Sequence, residues 1–413
     1  MTGLADCDNF FVSCERTVDP SLQGKPVVIL SNNDGCVIAR SNEAKSLGIK
    51  MGVPRFEING LVASGKVIAL SGNHNLYSDI SRRVHAIFRK YVPRTVDYSV
   101  DEAFLDMTGI PFDVIQGIGL SMRRECMEAE GIPVTIGFAA TKVLAKLAVE
   151  SIKRTETHVR CLTDQAEIDA ILASLPAGEL WGIGRRLRRK LYLEGVYSAL
   201  DFASLPKEWI RQKLGVTGER LWLELHGTGC IDISYKTRHL QESISETRTF
   251  PFDCDDYAWI ESRISIYAAN CSRRLRAMHG ECGSVGVFLQ TNRFRTDMQR
   301  ESPYVELALP ERTDNTQILT RNAINGLRRI FRNGTAYKRA GVVFSSIRDK
   351  SAHTGSLFAV DSRGEKNCDS LMRTVDSVNG KIRKGTLKLA SEMTWDPRPK
   401  DYGACISFGF RDE

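Results

Sequence analysis

The chain has 413 residues, 42% of them hydrophobic, which is enough for several packed cores and an expectation of roughly two to four domains. A formal charge of +7 is a mild excess that suits an anionic partner. Neither an apolar run of membrane-spanning length nor a secretory leader or lipidation motif is visible, and the 11 cysteines form no CxxC pair or zinc-spaced Cys/His set, so the expectation is a cytoplasmic protein with reduced thiols and no membrane span.

In chain order, a short run from Thr2 to Ala5 leads straight into Asp6-Cys7-Asp8-Asn9-Phe10-Phe11. After a helix-like segment through Arg16, Gly24-Lys25-Pro26 introduces a buried strand over Val27 to Leu30. Ser31 to Gly35 reads as a turn, Cys36 to Ala39 as a second strand, and Asn42 to Gly48 as a short helix stopped by glycine. Arg40, Lys45 and Lys50 in this small α/β unit suit a triphosphate; solvated lysines on a short helix are the competing reading.

An amphipathic helix from Asn75 to Tyr91 carries Ile80, Val84, Ile87 and Phe88 inward and leads to Tyr98-Ser99-Val100-Asp101-Glu102-Ala103-Phe104-Leu105-Asp106. Apolar residues on both sides of Asp101-Glu102 predict a tight β-hairpin with the acidic pair at its tip, because neighbouring side chains on a straight strand point apart. Asp6, Asp101 and Glu102 side by side would be costly to bury unless cations neutralise them, and Mg²⁺ is the natural hard counter-charge. Two such ions roughly 3.5–4 Å apart would activate an attacking oxygen and stabilise a leaving one in phosphoryl transfer. Acidic pairs that merely cap surface turns are the alternative for these residues taken alone.

A helix around Ile118 to Met127 and a strand from Val134 to Ala139 follow. In the next helix, Ala140 to Arg154, Lys142, Lys146 and Lys153 fall on one stripe opposite Leu144, Leu147 and Ala148, an arrangement that suits a polyphosphate or a simply solvated face. From Asp164 the helices shorten. Leu180-Trp181-Gly182-Ile183-Gly184-Arg185-Arg186 resembles a helix-hairpin-helix turn opening onto a basic helix, with five cations between Arg185 and Lys190, and such a turn binds phosphate without reading sequence.

Beyond a polar linker from Ile231 to Glu242 the pattern is strand (Ser245 to Phe250), helix (Tyr257 to His279), strands (Ser284 to Thr291 and Tyr304 to Leu309), helix (Gln317 to Phe331) and strand (Ala340 to Ser346). In this βαββαβ domain the helices are expected to bury Ile260, Ile264, Tyr267, Cys271 and Leu275, then Ile324, Leu327 and Phe331. Arg293, Arg295, Lys338 and Arg339 suggest contact with a nucleic-acid backbone, isolated surface arginines being the commoner case. From Asp349 the chain turns polar, which predicts a partly ordered tail that meets partners.

Together these motifs resemble the Y-family translesion DNA polymerases, most closely those of the UmuC type, over essentially the whole chain. The most specific matches are Asp6 to Phe11, Gly24 to Val28, Ser31 to Arg40, Tyr98 to Ala103, Thr141-Lys142 to Ala148, and Trp181 to Gly184. The resemblance implies an α+β right-hand polymerase: a ferredoxin-like palm at 1–22 and 74–165, small fingers at 23–73, a helix-hairpin-helix thumb at 166–232, a βαββαβ little finger at 240–348 and a partner-binding tail at 349–413. It implies low-fidelity, template-directed DNA synthesis past damaged bases as part of the SOS response, with two Mg²⁺ ions, primer-template DNA and a dNTP.

By the same resemblance Asp6, Asp101 and Glu102 are the metal-binding carboxylates, and the Cys7 carbonyl completes one ion's shell. Phe11, beside Phe10, takes the place of the steric gate that excludes a ribose 2′ hydroxyl, where UmuC-type chains carry Tyr. Lys153 and Lys45 would meet the triphosphate, Ile38 the roof over the templating base, and Asn42 with Lys45 departs from the Tyr and Arg of many members. Gly182, Gly184, Arg185 and Arg186, with Arg293, Arg295, Lys338 and Arg339, would hold DNA. A UmuD′-like accessory protein, a RecA-type recombinase filament and a sliding clamp are the implied partners. The clamp peptide, at Thr354 to Phe358, keeps Leu357 and Phe358 but lacks the leading glutamine. Two other readings are a nucleotide cyclase, which would have no use for the thumb-like turn and βαββαβ domain, and a DNA-binding scaffold with a decayed palm, against which the intact acidic residues speak.

Overall fold

The structure is a computed structural model that describes residues 1–31, 34–153, 155, 157–232, 241–352, 362–382, 386–388 and 390–392. It divides into two compact units, Met1–Tyr235 and Lys236–Glu413.

The first unit is built on β1 (Thr2–Cys7), a strand buried on both faces, followed by α1 (Phe10–Val18). The chain then leaves for a small sheet of β2 (Val27–Leu30), β3 (Val37–Arg40), α2 (Asn42–Ser46), α3 (Arg55–Ala63) and β4 (Ile68–Ser71), whose strand order is β3-β2-β4. Val28, Leu30, Val37, Ala44 and Ile58 give it a small core of its own. The chain returns through α4 (His74–Tyr91) to β5 (Arg94–Asp97) and β6 (Glu102–Asp106), then α5 (Phe112–Glu130), β7 (Val134–Ala139), α6 (Lys142–Ile152) and β8 (Val159–Leu162). These strands complete a sheet ordered β5-β6-β1-β7-β8.

Both faces of that sheet are covered, which is why its central strands read as continuous apolar runs. Ala5, Ala103, Leu105, Ile136 and Phe138 pack with α4 and α5, while Leu4, Phe104 and Ala139 pack with α6 and the helices after it. The strand period of two therefore fixes where the acidic residues face. Asp6, two positions after Leu4, lies on the α6 side, and Glu102 sits opposite it in register, as Phe104 does opposite Leu4.

The hairpin differs from the expectation in its arms. Arg94 to Asp97 pairs with Ala103 to Asp106, so Tyr98 to Asp101 forms the connection, and the apolar Val100 is a turn residue, not a strand residue. Pairing with β1 sets this register, a long-range constraint that local alternation does not carry.

Four helices follow: α7 (Gln165–Ser174), α8 (Arg185–Leu193), α9 (Ala199–Ala203) and α10 (Lys207–Leu225). The expected turn opens α8, with Gly182 at φ +98°, a conformation L side chains rarely adopt.

In the second unit β9 (Ile244–Cys254), α11 (Tyr257–Ala277), β10 (Gly280–Thr291), β11 (Tyr304–Thr313), α12 (Thr316–Ile330) and β12 (Tyr337–Ser345) follow the βαββαβ order, in an antiparallel sheet β11-β10-β12-β9. Val285, Val287 and Leu289 alternate onto the helix side against Ile260, Ile264 and Leu275. On α12 the buried stripe is Leu319, Ala323, Leu327 and Ile330; Ile324, expected inside, is half-buried because it lies beside that stripe, and Phe331, also expected inside, is half-buried just past the helix end, in extended backbone. The expected tail is in part an ordered helix, α13 (Ser362–Lys381), docked on this unit. The Arg276 guanidinium donates to both oxygens of Asp376 at 2.6 and 2.9 Å and to the Asp314 carbonyl and Thr316 Oγ1 at 2.8 Å each, and Met372 is buried. Asn379 clasps the Leu387 backbone through both its N–H and C=O.

Candidate active site

A cleft of about 570 Å³ opens over the ends of β1 and β6, lined by Asp6, Cys7, Asn9, Phe10, Phe11, Asp101 and Glu102 below and by Ile38, Arg40, Lys45 and Met51 of the small sheet. Apart from Ala39 and Pro133 its remaining walls are polar, among them Lys146, Lys153, Arg123 and His158.

Two ammonium groups, that of Lys146 on α6 and that of Lys153 just past its end, lie against the carboxylates at its floor. Lys153 Nζ donates to Asp6 Oδ2 at 2.9 Å and to Glu150 at 2.7 Å, and Lys146 Nζ donates to Glu102. Burial pushes the Asp6 carboxyl up to about 8, opposed by Lys153 and reinforced by a hydrogen bond with the adjoining Glu102. Burial also raises Glu102, but the bonds with Asp6 and Lys146 outweigh it and hold that carboxyl below its usual value. Lys153 is held above the ordinary lysine range: burial works against its charge, and Asp6 and Glu150 more than offset this. Both partners of the Lys153–Asp6 pair are thus shifted upward; for Asp6, desolvation is the stronger influence.

Asp101 occupies the turn. Its carbonyl accepts the Cys7 N–H at 2.8 Å, and its carboxylate accepts a hydrogen bond from Ser99 Oγ. Among the described residues no three His, Cys, Asp or Glu side chains close on a single point as a metal site. The donor set nevertheless fits hard cations: carboxylate oxygens only, one of them deeply buried with its charge disfavoured, and two lysines supplying positive charge against them.

The expected three-lysine stripe is corrected in one member. Lys142 does not face the cleft; its Nζ donates to the Ile231 carbonyl at 2.8 Å, because at the first turn of α6 its stem runs toward the end of the α7–α10 group. Lys45 does reach the cleft, donating to Asn9 Oδ1 at 2.6 Å and Asn42 Oδ1 at 3.3 Å, while Asn9 Nδ2 donates to Asn42 at 3.0 Å. Asn9 takes φ +49° at the start of α1, a left-handed turn that asparagine tolerates. Phe10 is buried in the sheet core, and Phe11 lies on the cleft wall, stacked on Tyr77 at 4.3 Å and edge-on to His74 at 5.7 Å. Tyr77 is fixed in turn by its hydroxyl, which donates to Glu15 at 2.6 Å.

Sequence reasoning missed Tyr77 and the Lys146–Glu102 bond. Extending the inward stripe of α4 back by one turn from Ile80 would have found Tyr77.

Arg185 and Arg186 are exposed at the start of α8, beside Gly182 and Gly184. In the second unit Arg293 stands over the Phe294 ring at 4.9 Å, and Arg339 donates to Thr247 and lies 5.6 Å from the Phe288 ring. Arg295 is bound to Asp253 and Asp297, and Lys338 to the Pro251 carbonyl, so these two charges are partly spent within the unit. Leu357 and Phe358 lie outside the described residues. No helix among the described residues is long and apolar enough to cross a membrane.

With this geometry in view, comparison with known proteins is specific. Residues 5–150 match the impB/mucB/samB family and 241–357 its C-terminal domain. UmuC of Salmonella typhimurium is 34% identical over 396 residues, 95% of this chain and 93% of its own length. DNA polymerase IV of Moorella thermoacetica is 28% identical, covering 89% of this chain and 92% of its own. A solved Y-family DNA polymerase chimera of Dbh and Dpo4 superposes with a TM-score of 0.67 at 22% identity, over 84% of this chain and 99% of that one. The fold is that of a Y-family DNA polymerase, with palm, fingers and helix-hairpin-helix thumb in the first unit and a βαββαβ little finger in the second. The chain belongs to the impB/mucB/samB family, the UmuC-type branch of these translesion DNA polymerases.

Proposed function

We propose that the cleft over β1 and β6 is the polymerase active site, that Asp6, Asp101 and Glu102 with the Cys7 carbonyl hold two Mg²⁺ ions, and that nucleotide transfer past damaged template bases takes place there. The observation that supports it best is the register of Asp6 against Glu102 beneath a wall carrying Lys45, Lys146 and Lys153. Bound divalent ions would supply activation of the primer 3′ hydroxyl and neutralisation of charge at the leaving pyrophosphate.

The chain's own groups account for the remaining needs. Lys153 and Lys146 stand where a triphosphate would offer them oxygens in exchange for the carboxylates they now bond. Lys45, held by Asn9 and Asn42, reaches the same space from the fingers. Phe11, backed by Tyr77, is a flat wall for the sugar, and Ile38 lines the roof. Gly182 and Gly184 free the backbone ahead of α8 to approach a phosphate, and Arg185 and Arg186 add charge.

The proposed limits are palm 1–22 and 74–165, fingers 23–73, thumb 166–232 and little finger 240–348. Through its family the chain is proposed to act in the SOS response with a UmuD′-like protein, a recombinase filament and a sliding clamp.

Primer extension on undamaged and abasic templates, with Mg²⁺ and all four dNTPs and with or without those accessory proteins, tests the assignment. Extension by the native chain that vanishes in Asp101→Ala is the expected result. Equal extension by both proteins, or none by the native chain under any condition, would overturn it.

A further inference from the structure

Glu224, near the end of α10, is fully buried, and its carboxylate is committed to backbone N–H groups from two different places in the fold. Oε2 accepts from Val143 at 3.2 Å, in the first turn of α6, and Oε1 accepts from Cys230 and Ile231 at 2.8 Å each, where the chain leaves α10 toward the second unit. The Glu224 carbonyl accepts from Thr141 Oγ1, the N-cap of α6, at 2.7 Å, and Lys142 Nζ completes the knot on the Ile231 carbonyl at 2.8 Å.

A carboxylate can be held without water when several N–H donors and the positive end of a helix share its charge. An amide of the same size has one accepting oxygen, so glutamine would leave N–H groups on one side facing an NH₂. The acid itself, beyond its volume, is what the site uses.

The parts joined are functionally distinct. α6 carries Lys146 and Lys153 into the cleft, whereas α10 closes the group of helices that includes the Gly182-Ile183-Gly184 turn. Apolar packing such as that of Leu144 and Leu225 holds these helices together but is tolerant of sliding, and directional bonds to fixed backbone groups are not.

We propose that Glu224 is a positioning residue for DNA synthesis: it fixes the thumb's backbone-binding turn in register with the palm helix that carries the nucleotide-facing lysines, so that duplex grip is preset. This rests on the polymerase reading of the cleft. The prediction is that loosening the knot raises the cost of ordering the thumb on DNA while leaving the chemistry of a fully loaded complex alone.

The test uses the full chain. Primer-template affinity is read by fluorescence anisotropy without nucleotide, single-turnover incorporation at saturating DNA, and stability by thermal melting, for Glu224→Gln, Lys142→Met and Leu225→Ala. Leu225→Ala removes buried apolar packing at the neighbouring position of α10 without removing a hydrogen-bonding partner of Glu224, and so controls for destabilisation alone. Glu224→Gln is expected to weaken DNA binding roughly tenfold with the saturated incorporation rate within about twofold of native, and Lys142→Met to weaken it in the same direction by less. Leu225→Ala is expected to lower the melting temperature and leave affinity unchanged. Native affinity in Glu224→Gln, or an equal loss in Leu225→Ala, would overturn the proposal. If Glu224→Gln does not fold, native affinity in Lys142→Met does so instead. Because affinity is read without nucleotide, the extension assay with Asp101→Ala judges the polymerase reading separately.

Discussion

Phe11 lies flat against Tyr77, whose hydroxyl is tied to Glu15, so the wall that would meet a nucleotide's sugar is backed by a second buried ring and cannot easily give way. Phe11→Ala is expected to raise ribonucleotide incorporation relative to deoxynucleotide by about tenfold or more, measured as the ratio of kcat/KM values. Tyr77→Ala should move that ratio the same way while also costing about 3–5 kcal/mol of stability, read by denaturant titration. The sequence singled out Asp6, Asp101 and Glu102 by their acidic motifs and Phe11 through the family resemblance, and the structure brings all four to one cleft. The sequence could not show that Lys142 turns away from its stripe to Ile231, because that depends on which helix end lies nearby. His85 offers a test by pH. Buried on α4 beside Asp97, it is held below the ordinary histidine value chiefly by burial. The unfolded chain therefore takes up the proton first as pH falls, and the native advantage, complete above about 6.5, is lost as pH drops below that value. Melting curves from pH 8 to 5 should fall more steeply for the native chain than for His85→Gln.

Among elements, the seat of α6 on the sheet decides whether lysines reach carboxylates. Gly137 on β7 lies opposite Leu4, and a Cβ there would stand 2.6 Å from the Ala145 carbonyl and 2.7 Å from the Val149 nitrogen, so helix and strand meet backbone to backbone. Gly137→Ala should push α6 outward, costing about 1–3 kcal/mol in denaturant titration and slowing extension through Lys146 and Lys153. Overpacking without loss of extension would mean that the helix can move while its lysines keep their reach. Most strands and helices were readable from periodicity, Val27–Leu30 and Val134–Ala139 to the residue. The arms of the acidic hairpin were not, because Val100 looks like a strand residue and only pairing with β1 places it in the turn.

At the scale of the whole molecule, the positive charge and the exposed cations at the start of α8 point to binding through the phosphate backbone. Affinity for primer-template should fall steeply between 50 and 200 mM salt, by on the order of 10³-fold if about six phosphates are engaged, and vary little with DNA sequence. A salt-matched titration that discriminates between sequences would contradict this. The docking of α13 has a separate consequence. Since Arg276 spends its charge on Asp376, and Met372 is buried on the same unit, residues 362–382 are expected to act as a removable splint on the second unit. A chain cut after residue 352 should lose stability, and a synthetic 362–382 peptide supplied in trans should restore it in proportion to its occupancy, turning an intramolecular contact into a measurable dissociation constant.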